Sequence, residues 1–70
     1  MEMERLVSMA NQIAVFFERE QADKAVERTA DHLRKYWDPR MRTAIVAHLK
    51  AGGEGLEPLV KNAVGLLQRT

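Results

Sequence analysis

The sequence predicts an all-α protein, a compact bundle of four short helices that forms one domain over residues 1–70. The first observation behind this fold class is that apolar residues recur every three or four positions, as they do in amphipathic helices. The second is that no segment alternates apolar and polar residues for long enough to form a strand. The third is that proline or paired glycines mark two places where one helix has to end and another begin.

The first helix is expected to run from Met3 to about Arg19. Its apolar residues keep the i, i+3, i+4, i+7 spacing of one helix face, and further apolar residues widen the stripe, which indicates cover on more than one side. The stripe consists of Leu6, Met9, Ala10, Ile13, Phe16 and Phe17, widened by Val7, Ala14 and Val15.

The second helix is expected from Ala22 or Asp23 to Tyr36. Charged residues of both signs occupy its outer face at spacings that allow ion pairs. Its last turn holds Arg34 and Lys35, whose charge suits the C-terminal end of a helix dipole. Its inner face is marked by Ala25, Val26, Thr29, Leu33, Tyr36 and Trp37.

The clearest helix start in the chain follows directly at Asp38 and Pro39. Asp38 is expected to cap the third helix, because its carboxylate can accept a hydrogen bond from a backbone N–H of the first turn. Pro39 fits the first helical position, where a missing N–H costs nothing. Since a residue that precedes proline avoids the helical conformation, the second helix has to end at this corner.

The third and fourth helices are separated by glycines. The third is expected from Pro39 to about Ala51, where Gly52 and Gly53 supply the conformation of a helix C-cap. It is expected to bury Met41, Ala44, Ile45, His48 and Leu49. The fourth begins near Gly55 to Glu57, with Pro58 in its first turn. Its apolar face consists of Leu56, Leu59, Val60, Ala63, Val64 and Leu67.

The length and composition indicate a dependent, cytoplasmic protein. A chain of seventy residues buries only roughly 60% of its unfolded surface, so support from a partner or from self-association is expected. The absence of cysteine excludes disulfides and thiolate metal sites and fits a reducing cytosol. The N-terminus is acidic, unlike a secretory signal. The longest apolar run, residues 13–17, is far shorter than the roughly 20 residues of a membrane span.

The charges are unevenly distributed, although the net charge is only +1. Residues 1–31 carry seven acids and four bases, whereas residues 32–50 carry five bases and one acid. The basic residues flank the one Tyr and the one Trp, and Arg, Tyr and Trp dominate protein interfaces. We therefore expect docking residues here, namely Arg34, Tyr36, Trp37, Arg40 and Arg42.

Two alternatives stay open for this basic segment. In the first, Arg34, Lys35, Arg40 and Arg42 hold nucleic-acid phosphates while the rings stack on bases, as in a small helical nucleic-acid-binding protein. The acidic first third argues against that class. In the second, Trp37 is a core residue with a solvated charged rim. The first and fourth helices have apolar stripes wider than one neighbour needs, which favours a docking protein.

No catalytic, metal or cofactor site is expected. His32 and His48 lie on different predicted helices, and no spacing resembles a known ligand set. The chain has no cysteine nucleophile, and its few hydroxyl residues lack a histidine or aspartate at a convincing spacing. The glycine-rich residues 52–55 lack the Lys-Ser/Thr of a phosphate loop, so they are interpreted as a connection between helices.

Three blocks, residues 6–17, 32–42 and 53–60, resemble the delta subunit of bacterial NAD-dependent formate dehydrogenases. The blocks come in that family's order. The strings Met-Ala-Asn-Gln-Ile at 9–13 and Trp-Asp-Pro-Arg-Met-Arg at 37–42 are the most specific part of the match.

The resemblance implies an accessory subunit of a cytoplasmic molybdenum or tungsten enzyme that transfers electrons from formate to NAD. It also implies that the metal, iron–sulfur, flavin and NAD sites lie on other subunits. This chain would support assembly or stability, with the large catalytic subunit as the expected partner and a homodimer as an option when it is isolated. For such an accessory subunit, Asn11 and Gln12 are expected to dock as well as the residues of the basic segment.

Overall fold

Four helices account for most of the structure, a computed structural model that describes residues 2–68. They are α1 (Met3–Phe17), α2 (Ala22–Tyr36), α3 (Pro39–Lys50) and α4 (Pro58–Leu67). Residues 2–68 contain no strand, so the predicted all-α class is confirmed. The helix ends lie close to the predicted ones, and such boundaries usually scatter by a residue or two.

The core is arranged around α4, which contacts each of the other three helices and lies most extensively against α2. Val60, Ala63 and Val64 of α4 are completely buried. Five of the buried residues are alanines on α1, α2 and α4. Their small side chains let the helices approach closely. The buried apolar residues are Leu6, Ala10, Ala14, Ala25, Ala30, Leu33, Trp37, Ile45, Leu56, Val60, Ala63, Val64 and Leu67.

The predicted corner between α2 and α3 has the expected cap. The carboxylate of Asp38 accepts a hydrogen bond from the backbone N–H of Met41 at 3.0 Å. Pro39 is the first residue of α3. The backbone N–H of Trp37 donates to the carbonyl oxygen of Leu33 at 3.1 Å and closes α2. Local sequence chemistry therefore fixes this corner.

Glycines close α3 in the pattern of a Schellman motif. The backbone N–H of Gly53 donates to the carbonyl oxygen of His48 at 2.9 Å, and that of Gly52 donates to Leu49 at 3.0 Å. Gly53 has a φ of +66°, a left-handed conformation that a residue with a Cβ rarely adopts. The chain can thus reverse towards α4 without leaving the last carbonyl groups of α3 unpaired.

Several predicted burial positions are wrong. Phe16 and Tyr36 were expected on inner faces, but 82% and 73% of their surfaces are exposed. Tyr36 precedes Trp37, which takes the inward position, and adjacent helical residues point about 100° apart. Met9 is also exposed, His48 is only half-buried, and Ala30, which was not predicted, is fully buried.

The Asp38 cap can be tested directly. Replacing Asp38 with Ala is expected to lower the free energy of unfolding by about 1 kcal/mol, because the Met41 N–H loses its acceptor. Asp38→Asn is the matched control, since an amide oxygen can still cap the helix and most of the stability should remain. Urea denaturation followed by circular dichroism measures both. Equal losses for the two variants would contradict a capping role.

Candidate docking surface

Trp37 lies in the core and not on the surface of the corner. Only 5% of its surface is exposed, and it belongs to the apolar cluster that includes Leu33, Ile45 and Val64. The interpretation of Trp37 as a core residue is therefore the one that the structure supports. Its indole anchors the corner from inside, so it is not offered to a partner in this conformation.

Arg34 and Arg42 are half-buried and cap helix ends. Arg42 donates from Nη1 to the backbone carbonyl oxygen of Arg34, in the last turn of α2, at 2.6 Å. Arg34 donates from Nη2 to the carbonyl oxygen of Leu66, in the last turn of α4, at 3.1 Å. A cation at a helix C-terminus also interacts favourably with the helix dipole. The two arginines thus link α3 to α2 and α2 to α4.

Arg34 has a second polar contact, to a carboxylate on its own helix. Its Nη1 lies 3.1 Å from Oδ1 of Asp31. Its Nε is buried and has no hydrogen-bond partner among the described residues. Contacts on two sides hold this guanidinium in place, so a structural role explains its position.

Tyr36 and Arg40 are the predicted docking residues that remain exposed at the corner. The Tyr36 ring lies against the ring of His32, with their centroids 4.6 Å apart. His32 in turn faces Phe17, at 6.4 Å and a tilted angle. These three rings form a row from the end of α1 to the end of α2. Together with Arg40 they make up the surface that we call the corner surface.

Asn11 connects α1 to the start of α4. Its Nδ2 donates to the carbonyl oxygen of Gly55 at 2.9 Å, and its Oδ1 accepts from the backbone N–H of Glu57 at 3.0 Å. Both polar atoms of this amide are therefore used inside the chain, in particular on an N–H at the α4 N-terminus. Its neighbour Gln12 is exposed.

A groove of about 790 Å³ runs beside Asn11 and Gln12, between α1 and the N-terminal ends of α2 and α4. Its walls are largely apolar, and no lysine or arginine lines it. We call it the acidic groove because four glutamates line it, namely Glu4, Glu18, Glu20 and Glu57.

The surplus of apolar residues predicted on the first helix is present, although none of its exposed members was named as a docking residue. Val15, Phe16 and Met9 of α1 are exposed together with Tyr36. Three consecutive large apolar residues at positions 15–17 were the available signal, because they cannot all face inward on a helix. The expected surplus on α4 is absent from the described residues, since α4 has neighbours on several sides and exposes no large apolar side chain.

The histidines do not form a ligand cluster. His48 donates from Nε2 to the carbonyl oxygen of Glu54 at 2.7 Å, and His32 lies in the aromatic row. Within residues 2–68, no group of three or more His, Cys, Asp or Glu side chains is placed to hold a metal ion. None of the helices described in this range is long and apolar enough to cross a membrane.

Comparison with known proteins identifies the family of the chain. No curated protein and no solved structure gives a significant match. One family model, FdsD, the delta subunit of NADH-dependent formate dehydrogenase, matches residues 5–64. The match includes the corner, Asn11 and most of the acidic groove. Since it covers well over half of the seventy residues, the chain belongs to the family of NADH-dependent formate dehydrogenase delta subunits.

Proposed function

We propose that this chain is a non-catalytic accessory subunit that supports the assembly or stability of a cytoplasmic NAD-dependent formate dehydrogenase. Its family is that of the delta subunit of this enzyme, which supports association with other formate dehydrogenase subunits. In this proposal the large catalytic subunit is the partner, and the chain itself carries no cofactor.

The observation that carries the proposal is how the side chains divide between internal and external roles. The polar groups that could do chemistry are bonded to backbone atoms of the chain itself, as in Asn11, Arg34, Arg42 and His48. Large apolar or aromatic side chains are left exposed among the charged ones, namely Met9, Val15, Phe16 and Tyr36. Such a surface suits contact with another protein better than it suits catalysis.

The corner surface offers the residue types that such a contact needs. Tyr36 at the end of α2 and Arg40 in the first turn of α3 are both exposed, and both residue types are enriched among the residues that dominate binding energy. A standard interface uses roughly 20–30 residues per side. In a chain of seventy residues, the contact therefore has to include surfaces beyond the corner, and exposed Gln12 is a further candidate.

Nucleic-acid binding is less well supported by the contacts of the corner. Arg34 and Arg42 donate to carbonyl oxygens inside the fold, which leaves Lys35 and Arg40 as the exposed cations of the four. Non-specific nucleic-acid binding depends on several phosphate contacts and weakens steeply with salt. Two free cations are a small footprint for that kind of binding.

A charge reversal at the corner tests the docking role. Arg40 lies in the first turn of α3, so Arg40→Glu places a carboxylate near the positive end of the helix dipole and is not expected to destabilise the fold. We expect about a tenfold drop in the amount of the variant that co-purifies with a tagged catalytic subunit. Denaturation of the isolated variant establishes that it remains folded.

Lys24→Glu is the matched control, because Lys24 is an exposed cation in the first turn of α2. The charge change and the dipole effect are then the same as for Arg40→Glu. Co-purification of both variants at the level of the unmodified chain would show that the corner does not dock.

Substitution of the histidines tests the non-catalytic role. We expect His32→Gln and His48→Gln to leave the turnover per assembled complex unchanged, since within residues 2–68 neither ring belongs to a group of His, Cys, Asp or Glu side chains that could hold a metal ion. Formate-dependent reduction of NAD by the purified complex is the measurement. A tenfold fall in turnover, about 1.4 kcal/mol in the activation barrier, with the complex intact, would mean that the chain reaches an active site.

A further inference from the structure

We propose that the acidic groove binds a basic amphipathic helix of another formate dehydrogenase subunit. This inference rests on the function proposed above and adds the site and the chemistry of the partner segment. The groove lies beside Asn11 and Gln12, whereas the corner lies at the other end of α2. Between Ala22 and Tyr36 the helix axis is about 21 Å long, so this is a second contact surface.

Small residues create the groove. Ala14 of α1 and Ala25 of α2 are buried at its base, and their short side chains leave space between the helices. Val7 and Leu59 are half-buried at its sides, and Val15 is 58% exposed. An amphipathic helix fills such a groove with large apolar side chains spaced three or four residues apart.

The charges specify the sign of the partner segment. The groove has four carboxylates among its lining residues and no lysine or arginine. Glu20 is paired with Arg28 at 2.8 Å. The other three acids, Glu4, Glu18 and Glu57, have no ion-pair partner within residues 2–68. Lysine or arginine residues that flank an apolar stripe would complement this rim and fix the orientation of the bound helix.

A second copy of this chain is a poor occupant. Its most basic helix, α3, exposes Thr43 and Ala47 between Arg40 and Lys50, so it presents no large apolar stripe. Its most exposed apolar residue, Phe16, precedes Glu18 and Glu20 in the chain. Insertion of Phe16 into the groove of another copy would bring like charges together, which is unfavourable.

Photo-crosslinking in the assembled enzyme identifies the occupant. A photo-reactive benzoylphenylalanine is placed at position 15, inside the groove, and at position 27 on the exposed face of α2 as a control. The complex is purified through a tag on the catalytic subunit, irradiated and analysed by mass spectrometry. We expect position 15, but not position 27, to crosslink to a segment of another subunit that combines an apolar stripe with lysine or arginine.

A charge reversal measures how much the carboxylates of the acidic groove contribute to binding of the partner helix. Glu18 follows the last residue of α1, where a lysine is favourable for the helix dipole, so Glu18→Lys should leave the fold intact. We expect it to weaken binding to the complex about tenfold at low salt and less at high salt. Glu27→Lys, outside the groove, is the matched control and should bind normally. Replacing the crosslinked basic residue with glutamate should restore the binding of Glu18→Lys.

The outcomes separate this inference from the proposed function. If the unmodified chain does not co-purify with formate dehydrogenase subunits, both are overturned. If it co-purifies, three results overturn the inference alone. They are no crosslink from position 15, a crosslink to a second copy or to a segment without basic residues, and equal binding by Glu18→Lys and Glu27→Lys.

Discussion

Each helix end leaves backbone N–H and carbonyl groups without partners inside the helix, and that constraint determines how this chain uses its polar side chains. Arg42 and Arg34 donate to carbonyl oxygens near the ends of α2 and α4. Asn11 and Asp38 accept from N–H groups at the starts of α4 and α3. Three of the residues that were expected to dock, Asn11, Arg34 and Arg42, are therefore bonded to helix ends within the chain.

The core of the protein consists largely of small side chains. Five alanines and few large side chains fill the interior, which lets the short helices pack closely but limits the apolar area that they bury. Hydrophobic stabilisation is proportional to that area. Large residues such as Phe16 and Tyr36 remain outside. A chain built in this way gains stability when another protein covers those residues, which is consistent with a subunit of a larger enzyme.

Local features were predictable from the sequence, and distant contacts were not. The Asp38–Pro39 start and the glycine end of α3 depend on neighbouring residues, so their chemistry could be read directly. The Arg34–Leu66 contact joins residues 32 positions apart, and the Asn11–Gly55 contact joins residues 44 apart. Neither periodicity nor spacing indicates which side chain meets which helix end. The sequence predicts that basic residues lie around the corner between α2 and α3, but only the packing of the helices shows that Arg34 and Arg42 are bonded to carbonyl oxygens inside the fold.

The opposite charges at the two ends of α2 have a consequence for assembly. The basic corner and the acidic groove are both rim-type electrostatic surfaces, which influence orientation and association rate more than final affinity. A partner that contacts both must present negative charge at one end and positive charge at the other, about 21 Å away. Reversing the chain end for end would place like charges together at both contacts. Two such contacts together would fix the orientation of this chain on its partner, even though each alone contributes few residues.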